Sequence, residues 1–271
     1  MRAWRRPARS SRASSPNRSS GAIVDSHTHL ASCDTPPGDL VAEAVEAGVE
    51  RIVTIGCGRK SSELAVELSL EFPEVYAAIG VHPHDADGFR RADEEWIGEL
   101  AQQAKVVAIG ECGLDYYRDN ATREGQMRAF VTQIGLAREL GLPLVIHTRE
   151  ADDDTLKVLG REAEGHPVIL HCFSMVERVD EVVERGYYTS FAGQLTYPSA
   201  TDLQDAARRI PPQHLLVETD APYLAPVPQR GRPNRPANVV HTLGFLAELR
   251  SEEREALDEL TTANAARAFG W

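Results

Sequence analysis

Eight short apolar runs rich in β-branched residues, most of them separated by stretches with helical spacing, limit the possible folds of this chain more than any other feature. They cover 22–25, 51–55, 75–79, 106–109, 144–146, 168–170, 187–190 and 215–217. Near-continuous apolar strands this short suit a parallel sheet covered on both faces. Helical spacing falls at 40–47, 63–72, 124–140, 156–163, 176–185 and 201–210, and Gly48, Gly141, Gly165 and Gly186 sit where helices should stop. Strand and helix alternating in this way predict an α/β chain folded as a (β/α)₈ TIM barrel, with a doubly wound open sheet as the competing arrangement. A Pro-rich loop over 221–236 follows the eighth run, and two extra C-terminal helices are expected at 237–249 and 251–269.

A length of 271 residues, 42% of them hydrophobic, is enough for one such domain, placed at 21–271. Residues 1–20 stand apart: six Arg, no acid, and Ser and Pro where a core would need apolar side chains, so this basic tail is expected to be disordered. Arg5-Arg6 suggests a twin-arginine export signal, but no apolar segment follows it. The chain carries −12 overall, and without the tail's six Arg the remaining 23 basic and 41 acidic residues leave −18. So acidic a body argues against a general nucleic-acid-binding surface. A phosphate substrate would have to be drawn in locally, by metal ions or a few placed Arg. No run of about 18 apolar residues is present, so no membrane span is expected. Cys33, Cys57, Cys112 and Cys172 form no C-x-x-C pair, which suits reduced thiols in the cytoplasm.

Polar residues gather where the strands end. The first run leads into His27-Thr-His29, the third into His82-Pro-His84, and the fourth into Glu111. The fifth ends at His147, the sixth at His171, and the eighth at Glu218-Thr-Asp220. Barrel active sites lie at the C-terminal ends of the strands, so these groups would share one rim. On a strand, the single residue between His27 and His29 turns both imidazoles to the same face. His147 and His171 could be core histidines bonded to backbone, but their place directly after apolar strands is better explained by metal ligation. One ion would leave some of His27, His29, Glu111, His147, His171 and Asp220 idle. Two ions about 3.5–4 Å apart use all six if a carboxylate bridges them, and Glu111, on a middle strand, is the natural bridge. Asp220 is placed to ligate the His27/His29 ion and to take a proton from the attacking water. Glu218 lies one layer deeper and would support a ligand. His82, His84 and Arg149 face the same mouth and are candidates for holding a substrate phosphate, Arg149 with bidentate geometry. Tyr116, Tyr117 and Tyr223 could stack on bases or simply pack.

The stretches Asp25–Leu30, Ile79–His84, Gly110–Tyr117, Leu142–Arg149, His171–Ser174 and Val217–Pro226 resemble, in order, the signatures of TatD-type deoxyribonucleases. The likeness runs from about Ala22 to the C terminus. It implies a metal-dependent DNase on a (β/α)₈ barrel with two divalent ions, often a 3′-to-5′ exonuclease. It places His27, His29, Glu111 and Asp220 at one ion, and Glu111, His147 and His171 at the other. Single-stranded DNA is the expected substrate and nucleic-acid partner, with RNA also possible chemistry. Mixed imidazole and carboxylate ligands suit Zn, Mn or Fe, whereas Mg prefers mostly oxygen, and the family's usual dependence on Mg or Mn is implied by the resemblance alone. The chain departs from the family at Ala31, where Asp is common. Two other readings compete: a wider amidohydrolase-like enzyme acting on a lactone, amide or phosphoester, and a non-catalytic metal-stabilised scaffold. The first commonly bridges its metals with a carbamylated Lys, and no Lys lies near the ligands here.

Overall fold

A computed structural model describes residues 22–118 and 120–271. The tail at 1–20 and its boundary with the barrel therefore lie outside the described residues. Eight parallel strands form one sheet in sequence order: β1 (Ile23–Thr28), β2 (Val49–Ile55), β3 (Val75–Ile79), β4 (Val106–Asp115), β5 (Leu144–Arg149), β6 (Val168–Leu170), β7 (Tyr188–Phe191) and β8 (Leu215–Val217). Helices α1 (Pro37–Glu46), α2 (Arg59–Glu71), α3 (Arg91–Leu100), α4 (Arg123–Leu140), α5 (Asp152–Glu162), α6 (Val179–Glu184), α7 (Thr201–Arg209) and α8 (Val239–Arg250) each follow one strand, and α9 (Arg254–Phe269) is the extra element. This is the (β/α)₈ barrel, not the open sheet.

The ends of the sheet meet at β8 and β1. Asp220 N–H donates to the His27 carbonyl at 2.9 Å and His29 N–H to the Ala221 carbonyl at 2.8 Å. Side chains join the seam lower down, where fully buried Asp25 accepts from the Thr219 N–H at 2.8 Å and its hydroxyl at 2.6 Å. Burial pushes the Asp25 carboxyl up, and the two Thr219 bonds oppose it.

Helix α3 was not among the segments with expected helical spacing. Its sequence is mostly charged, and only Trp96, Ile97 and Gly98 are buried. Its start is marked instead by Asp93, whose carboxylate accepts the Arg90 N–H at 2.8 Å.

Two apolar layers result. One lies between strands and helices, and the other fills the barrel with Val24, Val53, Ile55, Val107, Val145, Ile169 and Leu216. Ala265, Ala268 and Phe269 of α9 join that inner layer and close it at the bottom. Strand alternation then builds the top. The face that lays down Val145, Ile169 and Leu216 delivers His147, His171 and Glu218 two residues later.

Candidate metal centre

Glu111 stands at the middle of the polar rim. It sits within β4, where the pairing with β5 shifts register between Ile109 and Cys112. Gly110 and Gly113 flank it with φ of 148° and 144°. A Cβ on Gly110 would stand 2.4 Å from the Val145 carbonyl oxygen, and one on Gly113 2.0 Å from that of His147. Glycine is therefore required where β4 irregularly crosses β5 and turns Glu111 inward.

The two Glu111 oxygens face different partners. Oε2 lies 3.5 Å from His27 Nε2 and 3.8 Å from His29 Nε2. Oε1 lies 2.7 Å from His147 Nδ1 and 2.9 Å from His171 Nε2. Asp220 completes the first group, with Oδ1 3.3 Å from His29 Nε2 and 3.8 Å from His27 Nε2. The six residues expected to meet do meet, and all but half-buried His147 are buried.

Tautomers decide what this cluster can hold. The His147 Nε2–H faces Asp115 Oδ2 at 3.1 Å, and the His171 Nδ1–H faces Glu218 Oε1 at 3.2 Å. In their neutral forms both rings then aim a lone pair at Glu111, with His147 Nδ1 and His171 Nε2 only 3.4 Å apart. His27 Nε2 and His29 Nε2 are also 3.4 Å apart. Converging lone pairs and carboxylate oxygens repel unless positive charge stands among them. Protons or divalent cations can supply that charge, and imidazole with carboxylate is a donor set that first-row divalent metals accept. Sets of three within mutual reach include His27, His29 and Glu111, and His27, His171 and Asp220.

The electrostatics agree. Burial alone would raise the Glu111 carboxyl, but the charges of His171 and His82 and bonds from His147 and His171 hold it well below its ordinary value. Asp220 resolves the same conflict downward through His29, His171 and His27. Burial disfavours the charged form of His171, yet Glu111 and Glu218 together raise it well above an ordinary histidine.

Among the residues expected to face substrate, His82 lies deepest. Its Nδ1 accepts the His84 N–H at 3.1 Å, so the ring proton sits on Nε2, 3.5 Å from Glu111 Oε1. Burial lowers the proton affinity of this ring, and Glu111 opposes the shift. His84 stands farther out, with Nε2 2.9 Å from Asp115 Oδ2. Arg149 is exposed at the end of β5, its guanidinium 3.7 Å from the centre of the Tyr117 ring. Ala31 is exposed on the short 3₁₀ turn after His29. His82, His84 and Arg149 line, with His29, Glu111, His147, His171 and Asp220, one cavity of about 810 Å³ at the top of the barrel.

Sequence reasoning quoted Asp115 within a motif but assigned it no role. Four residues beyond Glu111 on one strand, it shares the inward face, and that spacing was the available signal. Its side chain, 1% exposed, holds both His84 and His147, and these bonds keep its carboxyl well below the usual range although burial opposes them. Cys57 was missed too. Its Sγ lies 3.7 Å from His29 Nδ1 and 3.8 Å from Glu111 Oε2. Nothing in a lone Cys after β2 pointed there.

Comparisons with known proteins give a consistent picture. A family model described as TatD related DNase matches residues 24–270. The chain is 39% identical over 251 residues to the uncharacterized metal-dependent hydrolase YabD of Bacillus subtilis (strain 168), covering 91% of this chain and 98% of that relative. It is 37% identical over 239 residues to the 3′-5′ ssDNA/RNA exonuclease TatD of Escherichia coli (strain K12), covering 86% and 92%. The crystal structure of YJJV, a TatD homolog from Escherichia coli K12, matches with a TM-score of 0.86 at 29% identity, over 92% of this chain and 98% of that one.

Proposed function

The chain belongs to the TatD-related DNase family and is a metal-dependent hydrolase, and we propose that it removes nucleotides from the 3′ end of single-stranded DNA, with RNA as a second substrate. The observation that carries this reading is the division of Glu111 between two histidine pairs, 2.7–2.9 Å from one and 3.5–3.8 Å from the other. His27, His29, Glu111 and Asp220 would hold one divalent ion, and Glu111, His147 and His171 a second. Two such ions, when bound, would oppose the charge of a phosphodiester and ease deprotonation of the attacking water. Zn, Mn and Mg are all compatible with the donor types, Mg the least so.

The protein's own groups do the rest. Asp220, whose carboxyl is held low by His29, His171 and His27 despite burial, accepts the proton of the incoming water. His82 presents Nε2–H to the cavity and donates to a nonbridging phosphate oxygen. His84 and Arg149 line the outer wall and hold the strand. Glu218 and Asp115 fix the His171 and His147 rings through their far nitrogens. All four cysteines are free, in keeping with our placing of the enzyme in the cytoplasm. Among the described residues, no helix is long and apolar enough to cross a membrane.

A substrate panel tests the reading. Single-stranded DNA, RNA, a lactone and a carboxylic ester would each be offered with Mg, Mn and Zn. The expected outcome is nucleotide release from 3′ ends of DNA, abolished by chelation. Turnover confined to the lactone or ester would replace the nuclease with the wider amidohydrolase alternative, for which fold likeness alone speaks.

A further inference from the structure

The cavity that surrounds the metal-binding residues has a one-sided charge distribution. Asp85, Glu111, Asp115 and Asp220 line it, and Arg118 and Arg149 are the Lys or Arg side chains among its lining residues. Both are exposed, and neither has a salt-bridge partner among the described residues. Both gather instead on one aromatic ring: Arg149 Cζ lies 3.7 Å and Arg118 Cζ 5.5 Å from the centre of Tyr117. Two guanidiniums held on one ring, with no carboxylate paired to either among the described residues, offer an anion charge-assisted hydrogen bonds that the acidic remainder of the mouth does not.

This arrangement is built into the rim. Asp115 Oδ1 accepts the N–H groups of Tyr117 at 3.0 Å and Arg118 at 2.9 Å, while its Oδ2 holds His84 and His147. The Tyr116 N–H donates to the Arg149 carbonyl at 2.8 Å, tying the end of β4 to the end of β5. One buried carboxylate thus sets the distance between the arginine pair and His147. On the β5–β6 side the wall is mostly acidic: Glu150, Asp152, Asp153, Asp154 and Glu177 line a neighbouring cavity there, with Arg178 paired to Asp153 at 3.3 Å. A polyanion crossing the mouth is repelled from that side and drawn over Tyr117.

We propose that Arg118 and Arg149, held around Tyr117, form a subsite for the phosphate next to the one being cleaved. The subsite rests on the nuclease reading. For a strand entering by its 3′ end, that phosphate is the second from the end, on the 5′ side of the penultimate nucleotide. Arg149 is thereby assigned to the neighbouring phosphate, not the scissile one, and Arg118 and Tyr117 gain a role. A guanidinium pair binds one phosphate through charge-assisted N–H···O bonds, worth about tenfold or more in affinity.

Two single-stranded decamers differing in one group test this. One is unmodified. The other carries a neutral methylphosphonate in place of the second phosphodiester from the 3′ end, leaving the first intact. Release of the 3′-terminal nucleotide would be followed for the manganese-loaded protein and for the Arg118→Ala/Arg149→Ala variant. The wild type should favour the unmodified strand by about tenfold or more in kcat/KM, mainly through KM, and the variant by less than about threefold. The slope of log Kd for the decamer against log salt should also become shallower by about one in the variant. Equal turnover of both strands by the wild type, or an undiminished preference in the variant, would overturn the subsite and leave the nuclease standing. If the loaded wild type cuts neither strand, the nuclease reading falls and the subsite with it.

Discussion

A single carboxylate, Glu111, faces five imidazoles at the ends of four strands, and the site's chemistry follows from how its oxygens are shared. Asp220 has a different task. It adjoins the seam of the barrel, its N–H bonded to the His27 carbonyl, with φ of 55°. Asp tolerates this left-handed conformation better than most side chains, and such strain persists where surrounding structure enforces it. Asn at 220 keeps the size and one ligand oxygen but cannot accept a proton. Asp220→Asn should therefore retain the fold and most of its metal while kcat falls by about 10²–10⁴. Metal content, strand affinity and turnover must be measured on one sample. A variant with full metal and near wild-type kcat would remove Asp220 from the proton transfer. At this scale the sequence was informative wherever a polar residue interrupted an apolar run, as at His147 and His171. It was silent where meaning depends on a partner distant in the chain. Asp115 acts through His84 and His147, 31 and 32 residues away, and Cys57 through His29 and Glu111.

Among elements, β4 departs furthest from a regular strand and is also the one that positions the centre. A near-continuous apolar run marked it over 106–109, yet it runs on through Asp115. The continuation carries Gly110, Glu111 and Gly113, residues that depress strand propensity, and it persists because β5 packs too close for a side chain. Gly113→Ala tests this directly. Its methyl would meet the His147 carbonyl oxygen and push β5 away, so stability should fall by roughly 1–3 kcal/mol. The thermal midpoint should drop, and bound metal should be lost first from the side that uses His147 and His171. An unchanged midpoint with full metal would show that β4 and β5 can separate at no cost to the site. Helix α3 shows the opposite limit. It is short, half of its residues are charged and three are buried, whereas α4 runs for 18 residues with nine of them buried.

For the molecule as a whole, the two ends of the barrel have been put to different uses. The bottom is closed by α9, where Phe269 stacks on Trp271 with ring centres 4.8 Å apart. The top concentrates buried carboxylate and imidazole in a body of strongly negative charge, an arrangement that draws in cations and would repel nucleic acid without them. Metal dependence fits that polarity, and the number of ions is the point on which the proposed chemistry turns. Metal-stripped protein titrated with Mn²⁺, with bound metal and release of 3′-terminal nucleotides from single-stranded DNA recorded at each step, tests it most directly. The bridging role of Glu111 predicts that turnover stays near background as the first equivalent binds and rises with the second. Full turnover at one bound equivalent, or in the chelated protein, would contradict it.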